Sequence, residues 1–247
     1  MARDSGVAGI TGRAWSLART LDFEGRHPRA FGAPRASTTP LTVGSFTGDV
    51  TRGGSCNCRS VTLVPHCNGT HTESAAHLTR EPLDLAALVP LEPLPGLLLH
   101  VSVEACDGDA VITASALERQ WRATDRDARV LVLRTGVADE VSDNPPYVSL
   151  AAMELIVARG IDHLVVDLPS VDRADDGGRL AAHRVFFGLP DGSTRLADAR
   201  RPHATITELA AIPHDCPTGA CYVQLQVTPW TGDAVPSRPV LFEGARA

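Results

Sequence analysis

The sequence predicts an α/β fold, one domain built on a mixed β-sheet with flanking helices. Three observations point there. Continuous apolar runs, typical of strands buried on both faces, alternate with helical segments. An Asp-Gly pair lies between two apolar runs, the mark of an antiparallel hairpin. A late stretch, residues 222–227 (YVQLQV), alternates apolar and polar residues as a half-buried strand does. The chain has 247 residues, 43% of them apolar, enough to bury a sizeable core. No internal repeat or break in composition divides it, so residues 1–247 read as a single domain.

Residues 1–60 are rich in Gly, Pro, Thr and Arg and weakly periodic, with 1–55 as the N-terminal arm; RASTTP (35–40) and TRGGS (51–55) read as loop. So long a stretch is expected to be an N-terminal arm that lies over the surface and shapes a pocket. Residues 59–64 (RSVTLV) form a strand stopped by Pro65. Residues 97–113 give two strands around Asp107-Gly108-Asp109. Ser115 and Glu118 make a capping box that opens a helix through about Arg122. Residues 129–134 (RVLVLR) are a buried strand ending at Thr135-Gly136. Ser149 caps a helix over 150–159, with Gly160 as its left-handed stop. Residues 162–168 (DHLVVDL) are the next buried strand, closed by Pro169, and 222–227 is the late strand before Pro229.

Charge narrows the function classes. The 23 basic residues, all Arg, face 29 acidic ones for a net charge of −6, which leaves no basic footprint for nucleic acid. The longest apolar run, residues 97–103, is interrupted by His100 and Ser102 and falls short of the roughly 18 residues of a membrane span. The N-terminus lacks the apolar core of a signal peptide. A cytoplasmic protein acting on a small molecule, with no nucleic acid and no membrane, is the expectation. Six cysteines are too sparse for a disulfide scaffold and read as thiols. Cys106 reads as an ordinary buried residue, and neither Cys56-x-Cys58 nor Cys216-x4-Cys221 has the Cys-x2-Cys spacing of zinc ribbons.

The chemistry concentrates in residues 65–78, PHCNGTHTESAAHL. Twelve residues hold His66, Cys67, His71, Glu73 and His77, the imidazole, thiolate and carboxylate donors that suit a borderline divalent cation. In extended chain His71 and Glu73 point to one side. A helix capped by Thr72 and starting at Glu73 would put Glu73 and His77 on one face, and Gly69 would allow a tight turn. Period two puts Cys67 in register with His71, whereas His66 reaches the same point only if the turn breaks that register. The competing reading is a surface loop with scattered His, or core histidines bonded to backbone.

This segment resembles the signature of the cyclase family of metal-dependent hydrolases, which includes bacterial kynurenine formamidase and isatin hydrolase: His-x-Gly-Thr-His-x-Asp-x-Pro-x-His. Gly69, Thr70, His71 and His77 match in place; Glu73 stands for Asp, Ala75 for Pro, and the first His falls on Cys67, one residue after His66. The chain reads as a variant with one extra residue, in which His66 remains the ligand and Cys67 is its rival. The resemblance runs on over most of 60–242, through Arg134-Thr135-Gly136, the GIDHLVVDLPSVD segment (160–172), His183 in LAAHRVFF and Glu208 in ITEL.

It implies a swivelling β/β/α, cyclase-like fold. It also implies one or two divalent ions, zinc first and manganese second, among His66, His71, Glu73, His183 and Glu208. The metal would activate water, with His77 as proton donor and acceptor and Glu208 bridging the ions or holding the water. The implied reaction is hydrolysis of an amide bond in an N-formyl aryl amine such as formylkynurenine, or in a cyclic amide. A biosynthetic cyclase or dehydratase using the same metal, or a non-catalytic degenerate member, are the alternatives. Family members tend to be homodimers or tetramers. Trp15 and Phe31 are candidate substrate contacts and Asp172 a candidate support for His183; His27, His100, His163, His203 and His214 read as surface or satisfied core histidines. With no Gly-x-Ser-x-Gly, a nucleophile elbow is missing.

Overall fold

The computed structural model describes residues 10–122, 127–136 and 143–244. Nine strands join in the main sheet: β1 (Ile10–Ser16), β2 (His71–Glu73), β3 (Leu94–His100), β4 (Val130–Arg134), β5 (His163–Val166), β6 (Thr205–Glu208), β7 (Gly219–Gln224), β8 (Ala234–Pro236) and β9 (Val240–Gly244). Their order is β1-β9-β7-β3-β4-β5-β6-β2-β8. The centre, β3 to β6, is parallel, and every pairing outside it is antiparallel. The fold is therefore the mixed α/β arrangement that the alternation of strands and helices predicts.

Why residues 130–133 and 164–166 are an unbroken apolar run in each strand follows from what covers them. Leu131 and Leu133 of β4, with Leu97, Leu99, Leu164, Val166 and Ile206, pack against the helices Ala114–Gln120 (α2), Leu150–Ala158 (α3) and Ala181–Phe187 (α4) through Leu117, Met153, Ile156, Phe186 and Phe187. The alternate residues Val130 and Val132, with Leu98 and Val165, face the other way onto Trp15, Leu17, Val223 and Leu241. Both faces are buried, so along these runs both phases of the period-two alternation are apolar.

Local signals act mostly where expected. Ser149 caps α3 by accepting from Ala152 N at 3.2 Å, and Gly160 follows it at φ +78°. Four expectations are corrected. Residues 97–113 hold three strands, because β3 stays in the main sheet while Glu104–Cys106 and Asp109–Ile112 form the Asp107-Gly108 hairpin. Asp107 and Gly108 both take positive φ, +50° and +90°, as a tight primed turn requires. Cys106 sits at the tip of that hairpin and is exposed. Helix α2 starts one residue before the expected box. Thr113 accepts from Ala116 N at 3.1 Å, while Ser115 lies inside the helix. The late strand is Gly219–Gln224, shifted toward the N-terminus because the chain leaves the sheet before Pro229.

The arm that carries little periodicity builds small ribbons: Ser37–Pro40 pairs with Arg59–Thr62, and Thr42–Val43 with Phe46–Thr47. Val43, Phe46, Val50 and Val61 are exposed on it.

Two stability outcomes follow. Ile156, fully buried on α3, loses about 2–5 kcal/mol on truncation to Ala, read as a lowered urea midpoint. His163 lies in the core with Nδ1 2.9 Å from Thr205 Oγ1, and burial pushes its pKa down to about 4. The unfolded imidazole therefore binds its proton first, near its ordinary 6.5, and stability is lost as pH falls from about 6.5 to about 4. The loss is on the order of 3 kcal/mol, and urea titrations of His163→Asn should show a flatter dependence across that window.

Candidate metal centre

Four pieces of chain converge at one end of β2. The first is a single helical turn, Pro65–Asn68, here α1, with Pro65 at its first position where a missing N–H costs nothing. Asn68 closes the turn by accepting from Val64 N at 2.7 Å. Gly69 is extended, at φ 179°, and a Cβ there would meet nothing within 4 Å. The expected tight turn at Gly69 is absent. β2 then runs antiparallel between β6 and β8, with His71 opposite Glu208. Alternation aims His71 and Glu73 to one side and Thr72 to the other, where its hydroxyl meets that of Thr207 at 2.7 Å. The expected helix start at Thr72 is corrected: Ser74 is the cap, and its hydroxyl opens the turn Ala75–His77 that brings His77 back over the site. The last piece is α4. Asp172 accepts from Ala182 N at 2.7 Å and His183 N at 3.1 Å, which fixes the helix start and with it His183.

The side chains meet around Glu73. Its Oε2 lies 3.0 Å from His66 Nδ1 and its Oε1 2.7 Å from His183 Nε2. Glu208 brings one oxygen within 3.5 Å of His71 Nε2 and the other within 3.6 Å of His183 Nε2, and that second oxygen also accepts from Val171 N at 2.8 Å. The His66 ring is 4.2 Å from that of His77 and 5.1 Å from that of His71, and the His77 and His183 rings are 5.5 Å apart. His71 and Glu73 are fully buried, and His183 and Glu208 nearly so. All six residues singled out by motif and resemblance, His66, His71, Glu73, His77, His183 and Glu208, thus share one site. Cys67 is buried beside them, and burial raises its thiol pKa; among the described residues it belongs to none of the tight donor groups, whereas His66 does.

Three imidazoles share one pattern. Each has one ring nitrogen against a protein acceptor: His71 Nδ1 at 3.0 Å from Gly69 O, His183 Nδ1 at 2.6 Å from Asp172, and His66 Nε2 at 2.8 Å from Asp233. The other nitrogen of each faces the Glu73 and Glu208 carboxylates. An N–H given to the outer acceptor leaves a lone pair on the inner nitrogen, the arrangement that metal-ligating histidines adopt. Among the described residues, His71 Nε2, His183 Nε2 and both oxygens of Glu73 are buried without a well-aligned hydrogen bond, although His183 and Glu73 stand 2.7 Å apart. Four such orphans in one place would be costly, and a cation among them satisfies all four.

Electrostatics agrees. Burial works to raise the Glu73 carboxyl, yet His183, His77 and His66 overcome it and hold the group well below the usual carboxylate range. Burial works to lower His183, but Glu73 and Asp172 push it well above the ordinary value. The carboxylates demand positive charge here, and imidazoles and carboxylates together match a borderline divalent ion. His77 differs: burial holds its pKa low, and among the described residues no hydrogen bond holds either of its nitrogens.

Two partners were beyond the reach of the sequence. Asp233 is 167 residues from His66, in no recognisable motif. Asp167 accepts from Thr135 N and Oγ1 at 2.8 and 2.9 Å, pinning the Arg-Thr-Gly segment. Of the aromatic candidates, Trp15 is buried in the sheet under the Arg13 guanidinium. Phe31 is 53% exposed and lines a cavity of about 420 Å³ with Arg29 and Pro145. Of the other histidines, His27 pairs with Asp22 O and Ala36 N, and His203 with Asp162.

The Cyclase family matches residues 15–173, more than half of the chain. The chain belongs to the Cyclase family. An isatin hydrolase bound to the product analogue thioisatinate superposes with a TM-score of 0.65 at 16% identity, over 94% of this chain and 92% of that one. A predicted metal-dependent hydrolase from Bacillus stearothermophilus gives 0.63 at 16% identity, over 94% and 98%. Isatin hydrolase A from Ralstonia solanacearum gives 0.60 at 16%, over 94% and 92%. These likenesses show a shared fold. No curated protein matches the sequence.

Glu73→Gln keeps the shape of the central side chain and removes its charge. The expected outcome is zinc affinity weaker by about 3–5 kcal/mol, roughly 100- to 4,000-fold, measured by competition against a chromophoric chelator.

Proposed function

We propose that this member of the Cyclase family is a metal-dependent hydrolase that cleaves a carbon–nitrogen amide bond in a small molecule, an N-formyl aryl amine such as formylkynurenine or a cyclic amide. The observation that carries the proposal is the convergence of three imidazoles and two carboxylates, drawn from distant parts of the chain, on one point where the inner nitrogens of His71 and His183 and both oxygens of Glu73 are buried and unsatisfied among the described residues. His66, His71, Glu73, His183 and Glu208 would hold one or two ions, zinc before manganese. When bound, such an ion supplies Lewis acidity and makes water available as a nucleophile near neutral pH.

The chain's own residues account for the rest. Glu208, anchored on Val171 N, orients its free lone pairs inward. Asp172 holds His183 in one tautomer. His77 packs against the cluster with both nitrogens uncommitted, which suits it to take a proton from the attacking water and return it to the leaving nitrogen. The isatin hydrolases among the structural neighbours support the amide reading. No helix among the described residues is long and apolar enough to cross a membrane, and the six free thiols support the cytoplasm as compartment. The apolar side chains exposed on the ribbons of the arm support a homodimer or tetramer.

Formate release from N-formylkynurenine and ring opening of isatin, each followed with metal-loaded and chelator-treated protein, test the proposal. Activity on at least one substrate is expected, falling to background on metal removal and returning with added zinc or manganese. Turnover that survives complete removal of metal would refute the metal mechanism. A metal-loaded protein inert on both, yet active on another amide, would move only the substrate.

A further inference from the structure

His66 stands apart from the other two imidazoles. His71 and His183 give Nδ1 to their outer acceptors and turn Nε2 inward; His66 does the reverse, with Nε2 on Asp233 and Nδ1 on Glu73. We infer that His66 meets the cation through Nδ1 while His71 and His183 use Nε2, and that Asp233 is the positioning residue that fixes this. The inference rests on the metal reading above and adds the donor atom and the residue that selects it.

Asp233 is well placed for the task. It immediately precedes β8, whose first residue, Ala234, pairs with Glu73. Its own carbonyl accepts from Ser74 N at 3.2 Å, so the segment that orients His66 is tied to the turn that leads from Glu73 to His77. Trp230 closes the same segment by donating from Nε1 to Ala234 O at 3.2 Å. The backbone that carries the carboxylate is therefore tied to β2. With Nε2–H donated to Asp233, the ring can offer only its Nδ1 lone pair to the centre, and Nδ1 is the nitrogen that lies 3.0 Å from Glu73. The unusual donor also accounts for the sequence: the histidine sits one residue before the signature position, which Cys67 holds, and from that place on α1 it reaches the cluster by the nearer of its two nitrogens. An outer carboxylate of this kind typically contributes about 10- to 100-fold to metal affinity.

The test uses full-length protein with 15N-labelled histidine, loaded with 113Cd, and zinc affinities measured by chelator competition. Cadmium–nitrogen coupling is expected at Nδ1 of one histidine, absent in His66→Gln, and at Nε2 of two others. Asp233→Ala should lose the Nδ1 coupling and bind zinc about 10- to 100-fold more weakly. Asp233→Asn, whose amide oxygen still accepts from Nε2–H, should keep the coupling and most of the affinity. Circular dichroism checks that each variant is folded, and the half-exposed Asp233 side chain makes loss of fold on truncation unexpected. Coupling at Nε2 of all three histidines would overturn the inference, as would Asp233→Ala with unchanged affinity and couplings. So would cadmium EXAFS in which Asp233→Asn loses an oxygen ligand, since that makes Asp233 a ligand, with His66 and His77 beside it. A wild type that binds neither zinc nor cadmium overturns the metal reading itself, a result distinct from all of these.

Discussion

The buried Glu73 carboxylate is the constraint on which the site is built. A carboxylate with no exposed surface cannot remain ionised unless positive charge faces it, and here both oxygens are aimed at imidazole nitrogens on two different elements. That demand couples α1 to α4 through a strand of three residues. It also explains why β2, short as it is, is inserted between β6 and β8 and hydrogen-bonded on both sides: a loop would let Glu73 move toward water and the cluster would open.

The sheet then sets distances that side chains alone could not. The pairing of His71 with Glu208 is a register of backbone hydrogen bonds, and a slip by one residue would send both to the opposite face. Thr72 and Thr207, bonded to each other on that other face, hold the register from behind. At the far side of the cluster, Asp172 both starts α4 and takes the proton of His183 Nδ1, so the fold of the helix and the tautomer of its histidine depend on one carboxylate. Structural rigidity and donor orientation are supplied by the same bonds.

Much of this was legible in the residues. The apolar runs of β4 and β5 declare a covered central sheet because successive apolar residues occupy both faces. Ser149 and Gly160 mark the ends of α3 because cap chemistry is local. Less legible were features where a local signal meets a competitor. Ser115 and Glu118 form a box by pattern, but Thr113, just past the end of a strand, caps the helix two residues before Ser115 by accepting from Ala116 N. Thr72 looks like a cap until the pairing of β2 claims it and passes the role to Ser74. Cys106 reads as core by type, yet a hairpin tip leaves it in water.

Sequence by itself determined the donor inventory: His71 and Glu73 two residues apart, His77 four further on, and His183 and Glu208 in segments similar to those of a known family. Tertiary structure alone turned His66, rather than Cys67, toward Glu73. Successive residues on a helical turn differ in direction by about 100°, so which of two neighbours faces the cluster depends on how α1 docks on β2 and β8, and docking is not written in either residue. The same holds for Asp233, whose place beside His66 is created by strand pairing across most of the chain and leaves no trace in the sequence around it.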